Sequence, residues 1–154
     1  MADLATLRDL RDRLANATGP DRELDALIEC VLPDKWCVEP TMTERPGFVV
    51  SSYRIGGRRS RWKAPATTTS IDAAVALCSR VLPGWRVHLL AQSYDGWSAC
   101  LHRMYGSPEA DHAVWKKGHH WPSEDMARSD GAAPALALCR AIVEGLIAQD
   151  KANG

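Results

Sequence analysis

Apolar positions along the chain follow two periods, and the switches between them mark out the elements. Leu4, Leu7, Leu10 and Leu14 recur at close to helical spacing with Arg8, Asp9, Arg11, Asp12 and Arg13 between them. They predict an amphipathic helix over 2–16 with a charged solvent face. Asn16-Ala-Thr-Gly-Pro-Asp breaks that helix. Pro20 suits the first position of a second one, where its missing N–H costs little, and Asp21 and Glu23 favour the same end. Leu24, Leu27, Ile28 and Val31 give this helix its apolar face, and Leu32-Pro33 ends it. The two helices form an αα-hairpin or a bent pair. Residues 33–46 are rich in proline and polar side chains and read as a loop from which Trp36 and Val38 touch the core.

The period then shortens to that of a strand. Phe48-Val-Val-Ser-Ser-Tyr-Arg-Ile is β-branched and aromatic, Gly56-Gly57 signals a turn, and Arg58 to Lys63 pairs back as a short basic strand closed by Pro65. The stretch Thr67 to Trp85 organises the rest. Thr69 or Ser70 caps a helix whose first turn holds Asp72 and whose last turn holds Arg80. Ile71, Val75, Cys78 and Leu82 are its expected core stripe, and Pro83-Gly84 stops it. Trp85–Gln92, the Asp-Gly turn of Ser93-Tyr-Asp-Gly, and Trp97–Met104 make a second hairpin. Residues 106–131 show no clean period and read as a long loop of about 25 residues, a length often tied to function. Pro134 opens a last helix in which Leu136, Leu138, Cys139, Ile142, Val143, Leu146 and Ile147 predict the deepest burial, followed by a frayed tail over 149–154.

The order α-α-β-β-α-β-β-α, with hairpins in place of βαβ units, predicts a single α+β domain over 1–154. Its sheet is mostly antiparallel, of about four strands, with helices packed on it. Composition leaves this picture unchanged: 45% hydrophobic and 25% charged residues are those of an ordinary globular protein. Equal numbers of basic and acidic side chains, 19 each, argue against a dedicated duplex nucleic-acid binder. The five cysteines, Cys30, Cys37, Cys78, Cys100 and Cys139, show no CxxC spacing and fit reduced thiols in a reducing cytosol. No signal-peptide pattern and no apolar run near the ~20 residues of a membrane span occur. The expectation is a soluble, intracellular protein that makes no membrane contact.

Four separated stretches carry a family resemblance. They are Gly19-Pro-Asp-Arg-Glu-Leu-Asp-Ala-Leu-Ile, Thr69-Ser-Ile-Asp-Ala-Ala-Val-Ala-Leu, Leu82-Pro-Gly-Trp and Ala133-Pro-Ala-Leu-Ala-Leu-Cys-Arg-Ala. In this order they resemble the phage ABA-sandwich proteins of bacteriophages and prophages. The resemblance implies an α/β/α three-layer sandwich at work in the cytoplasm of a host bacterium. It brings no reaction and no catalytic residue with it. The chain departs from the family at Ala66 or Thr67, where a tyrosine is usual before the cap, and in the longer, more basic 106–131 loop.

Candidate chemistry concentrates in two places. Arg54, Arg58, Arg59, Arg61, Trp62 and Lys63 put five cations and a tryptophan in ten residues without an acid. Arginine forks match phosphate oxygens and a tryptophan face can stack on a base. The bland alternative is a solubilising hairpin. The 106–131 loop holds Asp111, His112, Trp115, Lys116, Lys117, His119, His120 and Trp121. Its histidines match no metal-ligand spacing, so no metal is expected. If the loop folds over the first hairpin, Arg58, Arg59, Arg61, Trp62, Lys63, Trp115, Lys116 and Lys117 form one basic, tryptophan-rich site. No nucleophile elbow, HExxH, Walker loop or GxGxxG is present, so neither catalysis nor a cofactor is expected. Two readings follow. The first is a non-catalytic phage protein that binds in the infected cell, sequestering a nucleotide signal or inhibiting a host defence protein. The second is a structural or accessory protein that oligomerises. A homodimer is compatible with either.

Overall fold

The computed structural model describes residues 2–32, 38–40, 46–55, 58–104 and 125–153, with 38–40, 50–55 and 58–60 described through their backbone. The elements are α1 (Leu4–Asn16), α2 (Arg22–Val31), β1 (Val38–Pro40), β2 (Phe48–Ile55) and β3 (Arg58–Lys63). They continue as α3 (Ile71–Val81), β4 (Trp85–Ser93), β5 (Gly96–Arg103), β6 (Met126–Gly131) and α4 (Pro134–Asn153).

Helices α1, α2 and α3 each begin at a side-chain cap. The Asp3 carboxylate accepts from the Thr6 N–H at 2.8 Å. Asp21 accepts from the Glu23 and Leu24 N–H groups at 2.8 and 3.2 Å. The cap of α2 is therefore Asp21, and Pro20 lies just before the cap, outside the helix. Ser70, not Thr69, caps α3, its hydroxyl accepting from the Ala73 N–H at 3.2 Å. These bonds satisfy donors that the first helical turn leaves open.

The protein is α+β, with antiparallel sheets on which the helices pack. Its described strands fall into two sheets of three, in the orders β1-β2-β3 and β4-β5-β6, where the sequence predicts about four in one sheet. Two short strands make the difference. Val38–Pro40, expected as loop, pairs with β2 from Val38↔Ser51 to Pro40↔Val49. Met126–Gly131, expected as the end of the long loop, pairs with β5 from His102↔Met126 to Trp97↔Gly131. Neither carries an apolar run, and each is held by a neighbouring strand rather than by its own propensity. Residues 106–124 of that loop, and Trp36, lie outside the described residues.

The larger core lies between the β4-β5-β6 sheet and the helices. Leu7, Leu10 and Leu14 of α1, Leu77 and Cys78 of α3, Trp85, Ala99, Leu101 and Ala127 of the sheet, and α4 build it. Helix α4 is buried on most of its circumference from Ala135 to Ile147. It is helical through Asn153, so the expected frayed tail at 149–153 continues the helix. The stripe of α3 is turned from its expected position: Ala74, Leu77 and Cys78 are buried, whereas Ile71 and Val75 are about 40% and 39% exposed. Among the described side chains, a second cluster of Ala26, Val49 and Ala64 joins the β1-β2-β3 sheet to α2. Cys78, Cys100 and Cys139 are buried thiols, not disulfides. No described helix is long and apolar enough to cross a membrane.

Candidate functional site

The basic segment forms β3, the edge strand of the β1-β2-β3 sheet. Its register with β2 sets Lys63 opposite Phe48, Trp62 opposite Val49, Arg61 opposite Val50, Arg59 opposite Arg54 and Arg58 opposite Ile55, with a bulge between Val50 and Arg54. Directly paired residues share a face, and neighbours along a strand alternate. Trp62 therefore shares the face of fully buried Val49, which packs on α2, and its ring is 38% exposed. Arg61 and Lys63 lie on the opposite face and are exposed. The tryptophan and its two neighbouring cations are thus not brought together as one stacking-and-phosphate pocket. Trp115, Lys116 and Lys117, and any convergence of the long loop on β3, lie outside the described residues.

A buried polar junction fixes this sheet to the helices. Asp25 of α2 is fully buried. Its Oδ1 accepts from the Thr68 N–H at 2.7 Å, the Thr68 hydroxyl at 2.8 Å and the Thr67 hydroxyl at 3.1 Å. Its Oδ2 takes the Arg22 guanidinium at 2.5 Å. The other Arg22 nitrogen donates to the carbonyls of Ala64, at 2.7 Å, and Gly47, at 3.3 Å. Those two residues sit at the open end of the β2–β3 hairpin, where the Ala64 N–H bonds the Gly47 carbonyl at 2.7 Å. One arginine thus ties both strands of the basic hairpin to one buried carboxylate. Cys139 of α4 closes the junction, its thiol donating to the Thr67 carbonyl at 3.4 Å. Beside it, Arg80 of α3 grips Glu29 of α2 through both terminal guanidinium nitrogens, at 2.5 and 3.4 Å.

The charge pattern of α2 does not by itself reveal this role of Asp25. The available signals were the Asp21/Asp25 pair, one turn apart, and the Thr67-Thr68-Thr69 run. Pairing the two required knowing that residues more than 40 positions apart meet.

The second sheet also carries polar side chains. Ala99 and Leu101 of β5 belong to the large core, so Ser98, Cys100 and His102 alternate onto the other face, yet all three are at least 93% buried. The Ser98 hydroxyl donates to the Asp130 carboxylate. The Arg140 guanidinium donates to the Asp130 carbonyl at 3.1 Å. The rings of His88 and His102 meet edge to face at 5.0 Å. Burial pushes the Cys100 thiol up, partly offset by the Arg128 charge, which disfavours a nucleophilic thiolate. Ser98 and His102 are four residues apart on one strand, about 13 Å, too far for a nucleophile–base bond. Among the described residues no group of three His, Cys, Asp or Glu side chains is placed to hold a metal. A shallow cleft of about 310 Å3 between α1 and α2 is lined by Arg13, Asp21, Glu23 and Leu27 among others, and Asp21 there serves as the helix cap.

Fold and site together define an α+β protein with a cationic edge sheet clamped to its helices. The chain matches no family model, no curated protein and no solved structure.

Proposed function

We propose that this is a non-catalytic binding protein that takes up an anionic partner on the β1-β2-β3 sheet. One observation carries the reading. The edge strand β3 presents Arg61 and Lys63 to solvent in a stretch, residues 46–66, that holds no acid, although the chain as a whole is neutral. Such local segregation of charge steers oppositely charged partners without making the whole molecule a polycation. The buried Arg22–Asp25 clamp supports it, because a fixed hairpin loses less freedom on binding. Set in the phage family that the four motifs resemble, such binding becomes counter-defence in the cytoplasm of a host bacterium, against a nucleotide signal or a host defence protein.

Calorimetric titration at low ionic strength tests the reading. The probes are a panel of linear and cyclic nucleotides and polyglutamate. At least one anion is expected to bind saturably, and the doubly reversed variant R61E/K63E to lose it while melting at the temperature of the wild type. Absence of binding to every anionic probe overturns the reading.

A second reading, an accessory protein that oligomerises through its helices, draws on the exposed Ile71–Val75 pair, one turn apart on α3. It requires a defined oligomer in mass photometry that I71E/V75E dissolves; a monomer at micromolar concentration excludes it.

A further inference from the structure

Building on the proposal that the basic sheet binds an anion, we propose that the partner is an acidic, extended segment of another protein, which adds to the sheet as a fourth strand along β3. Among the described residues, β3 has a strand on one side only, that of β2. The ladder shows which backbone groups face the other side. Gly47 and Ala64 form a hydrogen-bonded pair at 2.7 Å, and the register runs on without a break through Phe48↔Lys63 and Val49↔Trp62. Bonded and non-bonded pairs alternate in an antiparallel ladder. Val49–Trp62 is therefore bonded and Phe48–Lys63 is not, so the Lys63 N–H and C=O face away from β2, toward the open edge.

The side chains fit the same occupant. Arg61 and Lys63 stand on one face, about 6.7 Å apart along the strand. A paired segment presents its own alternate side chains on that face at the same spacing, so acids at every second position fall beside both cations. Two further observations select this partner. Trp62 is in register with Val49, on the face opposite Arg61 and Lys63, so a nucleotide stacked on it does not bring its phosphates to those two cations. Pairing of two β3 strands from separate copies sets cations beside cations, which is unfavourable. A basic edge thus rejects its own copies and accepts an acidic strand.

The test is fluorescence anisotropy with the full chain and a labelled peptide alternating glutamate with valine or threonine. A second peptide of equal charge carries proline at alternate positions and cannot form a strand. The wild type is expected to bind the first peptide and to bind the second at least tenfold more weakly. R61Q/K63Q lowers affinity for the first by about three- to tenfold. Lys63→Pro also removes an outward N–H that β2 does not use, and is expected to lose about a further fivefold beyond Lys63→Gln. Should Lys63→Pro fail to fold, protection of the Lys63 amide from hydrogen exchange on adding peptide to the wild type gives the same answer. Equal binding of both peptides, or no protection of that amide, overturns strand addition and leaves the electrostatic reading standing. Binding of a nucleotide but of neither peptide overturns the protein partner alone. Binding of no anion at all overturns both proposals.

Discussion

Gly47 shows how a single position can be fixed twice over. Its φ is +86°, a region that side chains with a Cβ rarely adopt, and a Cβ there would meet the Arg22 guanidinium at 2.5–2.8 Å. Gly84, at φ +85°, has open space around the same position. Both substitutions to alanine pay for the backbone, about 1–3 kcal/mol. Only Gly47→Ala also displaces Arg22 from the Ala64 and Gly47 carbonyls. Urea denaturation is expected to show Gly47→Ala as the more costly by about 1 kcal/mol or more. Cys139 makes a second prediction at this scale. Burial pushes its thiol up to about 12 from an ordinary 9.0, and the Asp25 carboxylate adds to the rise. Below pH 9 both folded and unfolded chains keep the proton, so this group leaves stability unchanged. Above pH 9 the unfolded chain releases its proton and the folded one holds it. Stability then falls with rising pH, by up to about 1.4 kcal/mol per unit, until the folded thiol titrates. Between pH 8.5 and 10.5 the urea midpoint of Cys139→Ala should fall less steeply than that of the wild type.

Helix α3 marks how far pattern reading reaches among the elements. Its existence, cap and stop are all local, set by Ser70, Asp72 and the residues after Val81, and were legible in the sequence. Its orientation was not. Ile71 and Val75 are bulkier than Ala74, so hydrophobicity alone chooses the wrong stripe, whereas close approach to α4 favours the small residue inside. Strands β1 and β6 were illegible for a related reason. Val-Glu-Pro and Met-Ala-Arg-Ser-Asp-Gly have little strand character, and their pairing with β2 and β5 is a tertiary fact. The turned stripe can be measured. I71E/V75E should shift stability by no more than about 0.5 kcal/mol, as surface changes do, whereas Leu77→Ala should cost about 2–5 kcal/mol. Unfolding of I71E/V75E would restore the stripe read from hydrophobicity.

At the scale of the molecule, the two sheets differ in how they are held. The β4-β5-β6 sheet shares a large core with all four described helices, α2 contributing Leu24 and Ile28. Among the described side chains, the β1-β2-β3 sheet packs on α2 through Ala26, Val49 and Ala64, with Cys30 beside them, and is tied by the polar clamp from Arg22 and Asp25. The basic edge could be read from the sequence as a charged strand, but this dependence on Arg22 could not, because the arginine lies 25 and 42 residues from the carbonyls it grips. A sheet tied to its helices through such a clamp at the open end of its hairpin is expected to open at lower cost than global unfolding. Native-state hydrogen exchange is expected to show amides of β2 and β3 opening together, below the free energy at which β5 and α4 exchange. Arg22→Ala removes the clamp and leaves the Asp25 charge buried, a defect that costs about 3 kcal/mol. Its effect should fall on β2 and β3 first, with the protection of β5 and α4 lowered only by the loss in global stability. Uniform exchange of both sheets at one free energy would mean that the packing on α2 and the clamp are enough to make the protein a single cooperative unit, and that the proposed binding edge is as rigid as the core.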